Sequence, residues 1–202
     1  SNVEWDFDQA TRGGGYNYYI DGDCKFAGLE ITTTDLLHAS GQRLEIGGLD
    51  TGNGGSTCNF NDSLVYLTDR YDSYIYRVFD NDNFYTSGST FVMDMSNAGD
   101  ALGQMQTSQH FDNVAIINDG LNIASHTLTC TGNLIIAAGG GSNNKLYSSD
   151  GNSGINVSGN VSIASGATYE PDDDTATIGG NFNMAGGFIG VGAISGNNTT
   201  GY

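Results

Sequence analysis

The stretch GNLIIAAG (132–139) recurs twice further along the chain, as GNVSIASG (159–166) and as GNFNMAGG (180–187). The three copies align without gaps on the pattern G-N-φ-x-φ-A-x-G, in which φ is an apolar residue. Each copy follows a shorter run in which apolar residues again alternate with others. Because similarity at intervals of 20 to 50 residues is the signature of stacked repeats, we take this segment as the unit of a repeated structure.

The alternation within each repeat indicates β-strands with one side turned inward and the other in water. A Gly-Asn pair between two such strands is typical of a corner, since both residues tolerate a positive φ or a tight bend. The sequence therefore predicts an all-β chain, a β-solenoid (β-helix) with short strands. An ordinary β-sandwich whose turns happen to contain Gly-Asn is the alternative. The predicted corner residues are Gly132, Asn133, Gly159, Asn160, Gly180 and Asn181.

A length of 202 residues predicts one domain rather than two. A first module is inferred from FAGLEI (26–31), which matches FDNVAI (111–116) further along the chain. The predicted domain spans residues 1–202 and contains a first module (26–48), an aromatic-rich insertion (60–91), repeated coils (111–190) and a polar tail (195–202).

The balance of charge excludes two classes of partner. Six Lys and Arg residues stand against 23 Asp and Glu residues, which gives a formal net charge of −17. Phosphate backbones and anionic lipid surfaces repel such a protein, so we expect no binding to nucleic acid. No apolar run approaches the roughly 20 residues that a membrane-spanning helix needs, so we expect no membrane insertion.

Aspartates in predicted loops are the only candidate cofactor ligands, because Ca²⁺ prefers carboxylate and carbonyl oxygens. None of them completes an EF-hand loop, and solubility alone is the alternative explanation of the acidity. The three cysteines, Cys24, Cys58 and Cys130, lack metal-ligand spacing and allow at most one disulfide. The candidate calcium ligands are Asp21, Asp23, Asp80, Asp82, Asp172 and Asp174.

Residues 60–91 hold nine of the chain's 20 Tyr and Phe residues, together with Arg70 and Arg77. Tyr and Arg are enriched where proteins bind partners, so this region is a candidate contact for a glycan or a neighbouring subunit. The N-terminal run Tyr16-Asn-Tyr-Tyr19 is expected to join the same surface. A wide aromatic rung or cap inside the coil is the alternative. The candidate contact residues are Tyr66, Tyr71, Tyr74, Tyr76, Phe84 and Tyr85.

Catalysis on polysaccharides requires convergent carboxylates around the sugar bond, supported by basic residues. Here His38, His110 and His126 are isolated in the sequence, and the one dense acidic run (172–174) follows Pro171 in a predicted loop. The sequence therefore predicts a protein that is not an enzyme.

The stretch 89–190, and more weakly 26–48, resembles the Gly-rich β-helix repeats of bacterial surface adhesins and phage virion fibre proteins. The likeness rests on Ser89-Thr-Phe91, on Phe111-Asp-Asn-Val114 and on the φ-x-φ-x-Gly-Asn blocks that follow. It implies a structural or adhesive subunit of an extracellular assembly on a cell or virion surface, associating with copies of itself. A glycan-acting β-helix enzyme and a monomeric carbohydrate-binding module are the alternatives.

Overall fold

The computed structural model describes most of the chain, and within that part every element is a β-strand and none is a helix. The described residues are 3–7, 16–31, 35–52, 56–68, 76–78, 84–94, 103–105, 108–138, 144–148, 153–172, 175–185, 187–190 and 193–200.

The strands are short because the chain bends after every few residues, and most of them run for only three to five residues. In chain order they are β1 (Val3–Phe7), β2 (Asn17–Tyr19), β3 (Cys24–Ile31), β4 (Leu36–His38), β5 (Arg43–Ile46), β6 (Leu49–Gly52), β7 (Thr57–Asn59), β8 (Leu64–Leu67), β9 (Tyr76–Val78), β10 (Phe84–Tyr85), β11 (Thr90–Asp94), β12 (Gly103–Gln104), β13 (Gln109–Phe111), β14 (Asn113–Asn118), β15 (Gly120–Asn122), β16 (Thr127–Cys130), β17 (Leu134–Ile136), β18 (Lys145–Tyr147), β19 (Gly154–Val157), β20 (Val161–Ile163), β21 (Thr168–Asp172), β22 (Thr175–Met184), β23 (Gly187–Gly190) and β24 (Ala193–Thr200).

Every described strand pair is parallel, and the pairing order traces a coil with three faces. The first face contains β2-β4-β7-β10 and, further along, β13-β16-β19-β22. The second contains β3-β5-β8-β11-β14-β17-β20-β22, and the third contains β3-β6-β9 and then β12-β15-β18-β21-β23. The long strands β3 and β22 each serve two faces, since β3 pairs with β5 through its first residues and with β6 further on. The predicted β-solenoid is confirmed.

Like side chains stack on one another in the interior, one above the next along the coil. On the second face, Leu44, Val65, Phe91, Val114, Leu134, Val161 and Phe182 lie in register and are all buried. Burying an aliphatic side chain of this size contributes roughly 1.5–3 kcal/mol. The thin rungs of a Gly-rich chain are therefore stabilised by rows of apolar contacts that run along the coil axis.

Part of the aromatic-rich segment lies inside the coil. The rings of Phe60, Phe84, Phe91 and Phe111 are buried and form one cluster, with centroid separations between 4.8 Å for Phe91–Phe111 and 5.9 Å for Phe84–Phe111. Phe84 is only 3 % exposed. Its place among the contact residues was therefore wrong, because the alternation along β10 turns Phe84 inward and Tyr85 outward.

The Gly-Asn corners between the first and second faces stack on one another. The Asn160 N–H donates to Asn133 Oδ1 at 2.9 Å, and the Asn181 N–H donates to Asn160 Oδ1 at 2.8 Å. A Cβ on Gly159 would lie 2.4 Å from the Gly132 carbonyl oxygen, and one on Gly180 would lie 2.5 Å from the Gly159 carbonyl oxygen. These glycines are therefore required by the close approach of successive coils rather than by a positive φ.

The predicted match between residues 26–31 and 111–116 does not hold in three dimensions. Phe26 lies on the second face, where it pairs with Ile46, whereas Phe111 lies on the first face, where it pairs with Cys130. Both segments alternate in the same way, so a comparison of apolar patterns can slip by one face without losing its fit.

Candidate functional site: the uncharged first face

The outward side chains of the first face lie in register within each of its two groups of strands, β2-β4-β7-β10 and β13-β16-β19-β22. Tyr19 pairs with His38, His38 with Asn59, and Asn59 with Tyr85. Further along the same face, beyond the break between β10 and β13, His110, Thr129, Asn156 and Thr177 form a second row in register with one another. Adjacent strands of a sheet are about 4.8 Å apart, so each row presents one side chain at each such step.

The outward strand residues described on this face include no Asp, Glu, Lys or Arg, although the chain as a whole carries −17. The same face also presents Asn17, Leu36, Thr57, Thr127 and Thr175. The other faces differ: Lys25 pairs with Glu45 on the second face, and Lys145 Nζ lies 3.1 Å from Glu170 Oε2 on the third. The first face is therefore a neutral strip of hydroxyl, amide, imidazole and phenol groups, which we call the uncharged face.

The uncharged face also presents the most exposed aromatic ring described in the chain. The Tyr19 side chain is 72 % exposed and stacks on His38, with ring centroids 4.6 Å apart and an angle of 10° between the planes. His38 Nε2 in turn lies 3.4 Å from Asn17 Oδ1. Tyr85 on the same row is 49 % exposed, and Tyr16, just before β2, is 46 % exposed. Tyr19 and Tyr85 are held by short strands whose inward neighbours, Tyr18 and Phe84, pack on the core.

The predicted contact residues do not form one surface. Tyr85 lies on the uncharged face, as does the expected addition Tyr19, but Tyr66 lies on the second face, with the Arg43 guanidinium 4.9 Å above its ring centroid. Tyr71 and Tyr74 lie outside the described residues, and Tyr76 is described only as part of the backbone of β9. His38 was not identified as a site residue from the sequence. The alternation along β4 predicts that His38 points outward, and the pairing of β4 with β2 brings it beside Tyr19.

The candidate calcium ligands do not converge in the described part of the chain. Asp21 and Asp23 are exposed, and Asp23 Oδ1 accepts a hydrogen bond from the Arg43 N–H at 3.0 Å. Asp80, Asp82 and Asp174 lie outside the described residues, while Asp172 is described only as the last residue of β21. Among the residues described, no group of three His, Cys, Asp or Glu side chains is placed to hold a metal ion.

The cysteines belong to the interior or its margin and not to the uncharged face. Cys58 and Cys130 are free and buried, and burial raises the pKa of each thiol to about 12. The negative charge of Asp112 adds to this shift at Cys130. Cys24 is free and half-buried. Because the reactive form of cysteine is the thiolate, Cys58 and Cys130 are inert packing residues at neutral pH.

The chain matches no protein-family model, no curated protein sequence and no solved structure. The described residues contain no helix that is long and apolar enough to cross a membrane. The function is therefore inferred from the geometry of the first face. Stacked rings and rows of neutral donors and acceptors can bind a ligand by hydrogen bonds and ring contacts.

Proposed function

We propose that the chain is a non-catalytic structural or adhesive subunit of an extracellular assembly. A virion fibre or decoration protein and a cell-surface filament or adhesin are the two forms that this takes. The observation that supports the proposal best is the stacking of the coils, with apolar rows packed inside and regular rows of side chains outside. Such a coil is a stiff support for an extended surface, because each rung is hydrogen-bonded to its neighbours.

The resemblance of residues 89–190 to adhesin and phage-fibre repeats supports the same proposal. The charge adds to it: a net charge of −17 keeps separate molecules apart over long range, so copies associate only through a contact that excludes water.

The second face offers an apolar row for that contact. Tyr66, Ala115 and Ile135 point outward in register on strands β8, β14 and β17, while Val92 of β11, which lies between Tyr66 and Ala115 in this row, is only 6 % exposed. Ile135 is 46 % exposed, and among the residues whose side chains are described it is the one large aliphatic side chain that is so exposed. The next residue of the row is Ser162, where the apolar character ends. We propose that this row joins copies of the chain.

The mass of the purified chain in solution tests the subunit proposal. At micromolar concentration we expect sedimentation velocity to give a multiple of the 21.2 kDa monomer. Ile135→Asp should shift the distribution to the monomer, because a carboxylate in the contact would lose its hydration. Ser162→Asp is the matched control, since it adds the same charge one step along the row, and it should leave the mass unchanged.

A different result would reject the proposal. A parent chain that sediments at 21.2 kDa, with no response to Ile135→Asp or to a calcium chelator, is a monomer and not a repeated subunit. In that case a monomeric carbohydrate-binding module becomes the better description.

A further inference from the structure

We propose that the uncharged face binds a neutral glycan chain, which lies along the row from Tyr19 towards Tyr85. This inference rests on the adhesive part of the proposed function and names the class of ligand and its site. It does not depend on how many copies of the chain associate, because the apolar row that would join them lies on the second face.

The charge distribution selects a neutral ligand. The whole chain carries −17, so an acidic polysaccharide is repelled wherever it approaches. The strand residues that point outward from the first face include neither a carboxylate nor an ammonium or guanidinium group among those described. Such a surface favours ligands that bind through hydrogen bonds and ring contacts. Neutral sugars offer both, through their hydroxyl groups and their apolar ring faces.

The aromatic geometry fits a sugar ring. The Tyr19 ring stacks on His38, and an exposure of 72 % leaves much of the side chain open to solvent. Tyrosine is a rigid, amphipathic contact residue that loses little entropy on binding. The Asn17 amide lies beside this pair, where it can exchange hydrogen bonds with sugar hydroxyls while the ring is covered.

A shallow groove adjoins Tyr19 and has a volume of about 410 Å³. Its lining is formed by Asn17, Tyr18, Tyr19, Ile20, Asp21, Cys24 and Phe26. Four of these side chains pack against the core or are buried and Asp21 is an exposed carboxylate, so the groove lies at the margin of the interior and not on the uncharged face.

The spacing of the row favours an extended ligand over a small one. Tyr19 and Tyr85 are separated by three strand-to-strand steps, which amounts to about 14 Å at 4.8 Å a step. His38 and Asn59 lie between them and supply donors and acceptors at each step. A linear chain of several sugars therefore contacts both tyrosines at once, whereas a monosaccharide reaches only one.

Affinity electrophoresis in native gels tests the inference directly. The gels contain one soluble neutral polysaccharide each (dextran, mannan, xyloglucan or mixed-linkage β-glucan), with polygalacturonate and alginate as acidic comparators. We expect at least one neutral polymer to retard the parent chain and neither acidic polymer to do so. Tyr19→Ala and Tyr85→Ala should each raise the dissociation constant for that polymer at least tenfold. Tyr147→Ala, the same substitution on the third face, should leave it unchanged.

Circular dichroism of each variant establishes that the fold is kept before its affinity is compared. Three outcomes would overturn the inference: no retardation by any neutral polymer, stronger retardation by an acidic polymer, or equal binding by the parent, Tyr19→Ala and Tyr85→Ala. Failure here with an oligomeric parent leaves the subunit proposal standing. A monomer that binds a neutral polymer through Tyr19 and Tyr85 rejects the subunit proposal alone.

Discussion

Replacing Ile163 with aspartate is expected to unfold the coils around β20 and to lower the free energy of unfolding by about 4 kcal/mol or more. Ile163 is 2 % exposed and lies between Ile136 and Met184 in an interior row. The substitution removes the apolar contacts with both neighbours and places a carboxylate between two apolar side chains. Urea denaturation followed by far-ultraviolet circular dichroism measures the loss.

The control for this experiment is the residue immediately before it. Ser162 lies on the same strand and points outward, so Ser162→Asp should change the free energy of unfolding by less than about 0.5 kcal/mol. Equal losses from Ser162→Asp and Ile163→Asp would mean that β20 does not present one side to the interior, contrary to the observed coil.

The corner glycines give the second large effect. Gly159→Ala should cost about 3 kcal/mol, because its methyl carbon would lie 2.4 Å from the Gly132 carbonyl oxygen and 2.7 Å from the carbonyl carbon. Both obstacles are backbone atoms, so relief requires the two coils to separate. That movement would also stretch the hydrogen bond from the Asn160 N–H to Asn133 Oδ1.

A glycine at another corner allows the cost of crowding to be compared with the cost of an unfavourable backbone conformation. Gly41 has a φ of +76°, and a Cβ added there would meet no atom within 4 Å, so its requirement is conformational only. Asparagine adopts this conformation more readily than most residues, so Gly41→Asn should cost less than about 1 kcal/mol. Thermal and urea unfolding of the two variants compare these costs. A loss at Gly159→Ala no larger than at Gly41→Asn would contradict the close stacking of the corners.

The architecture was predictable because its determinants are local. Alternation at period two specifies a strand with an inner and an outer side, and the Gly-Asn pair that begins each repeat marks the corner before the next strand. Leu134, Val161 and Phe182 occupy the same place in their repeats and lie in register in the same interior row.

The assignment of strands to faces was not predictable in the same way. The sequence of a strand shows the same alternation of apolar and polar residues on each of the three faces. The loops that join the faces differ in length, so no fixed spacing in the sequence gives the register between coils. This is why Phe26 was matched with Phe111 although the two lie on different faces. It is also why Tyr66 and Tyr85 were grouped together, whereas the coil turns them onto separate surfaces.

The candidate site could be identified only from the fold, for a related reason. Tyr19 and His38 are far apart in the sequence, and their stacking exists only because β2 and β4 pair side by side. The absence of acidic residues from the described outward rows of the first face is likewise invisible in a composition dominated by aspartate. Only after the strands are assigned to faces does the uncharged face stand out against a net charge of −17.

An engineered disulfide tests the central claim most directly, namely that successive coils stack in register and so align the outward residues of the uncharged face. Asn156 and Thr177 are both exposed on this face and are register partners of β19 and β22. Neighbouring strands lie about 4.8 Å apart, which is within the range that a disulfide spans. The variants also carry Cys24→Ser, which removes the half-buried thiol. Cys58 and Cys130 are buried and unreactive, so they are left in place.

Mild oxidation followed by peptide mass mapping measures the yield of the bond. For Asn156→Cys combined with Thr177→Cys, we predict nearly complete formation in the folded chain. For Asn156→Cys combined with Asn183→Cys, which lies outward on the second face, we predict close to none. Failure of the first pair to form its bond, or equal yields from the two pairs, would contradict the stacking on which the uncharged face depends.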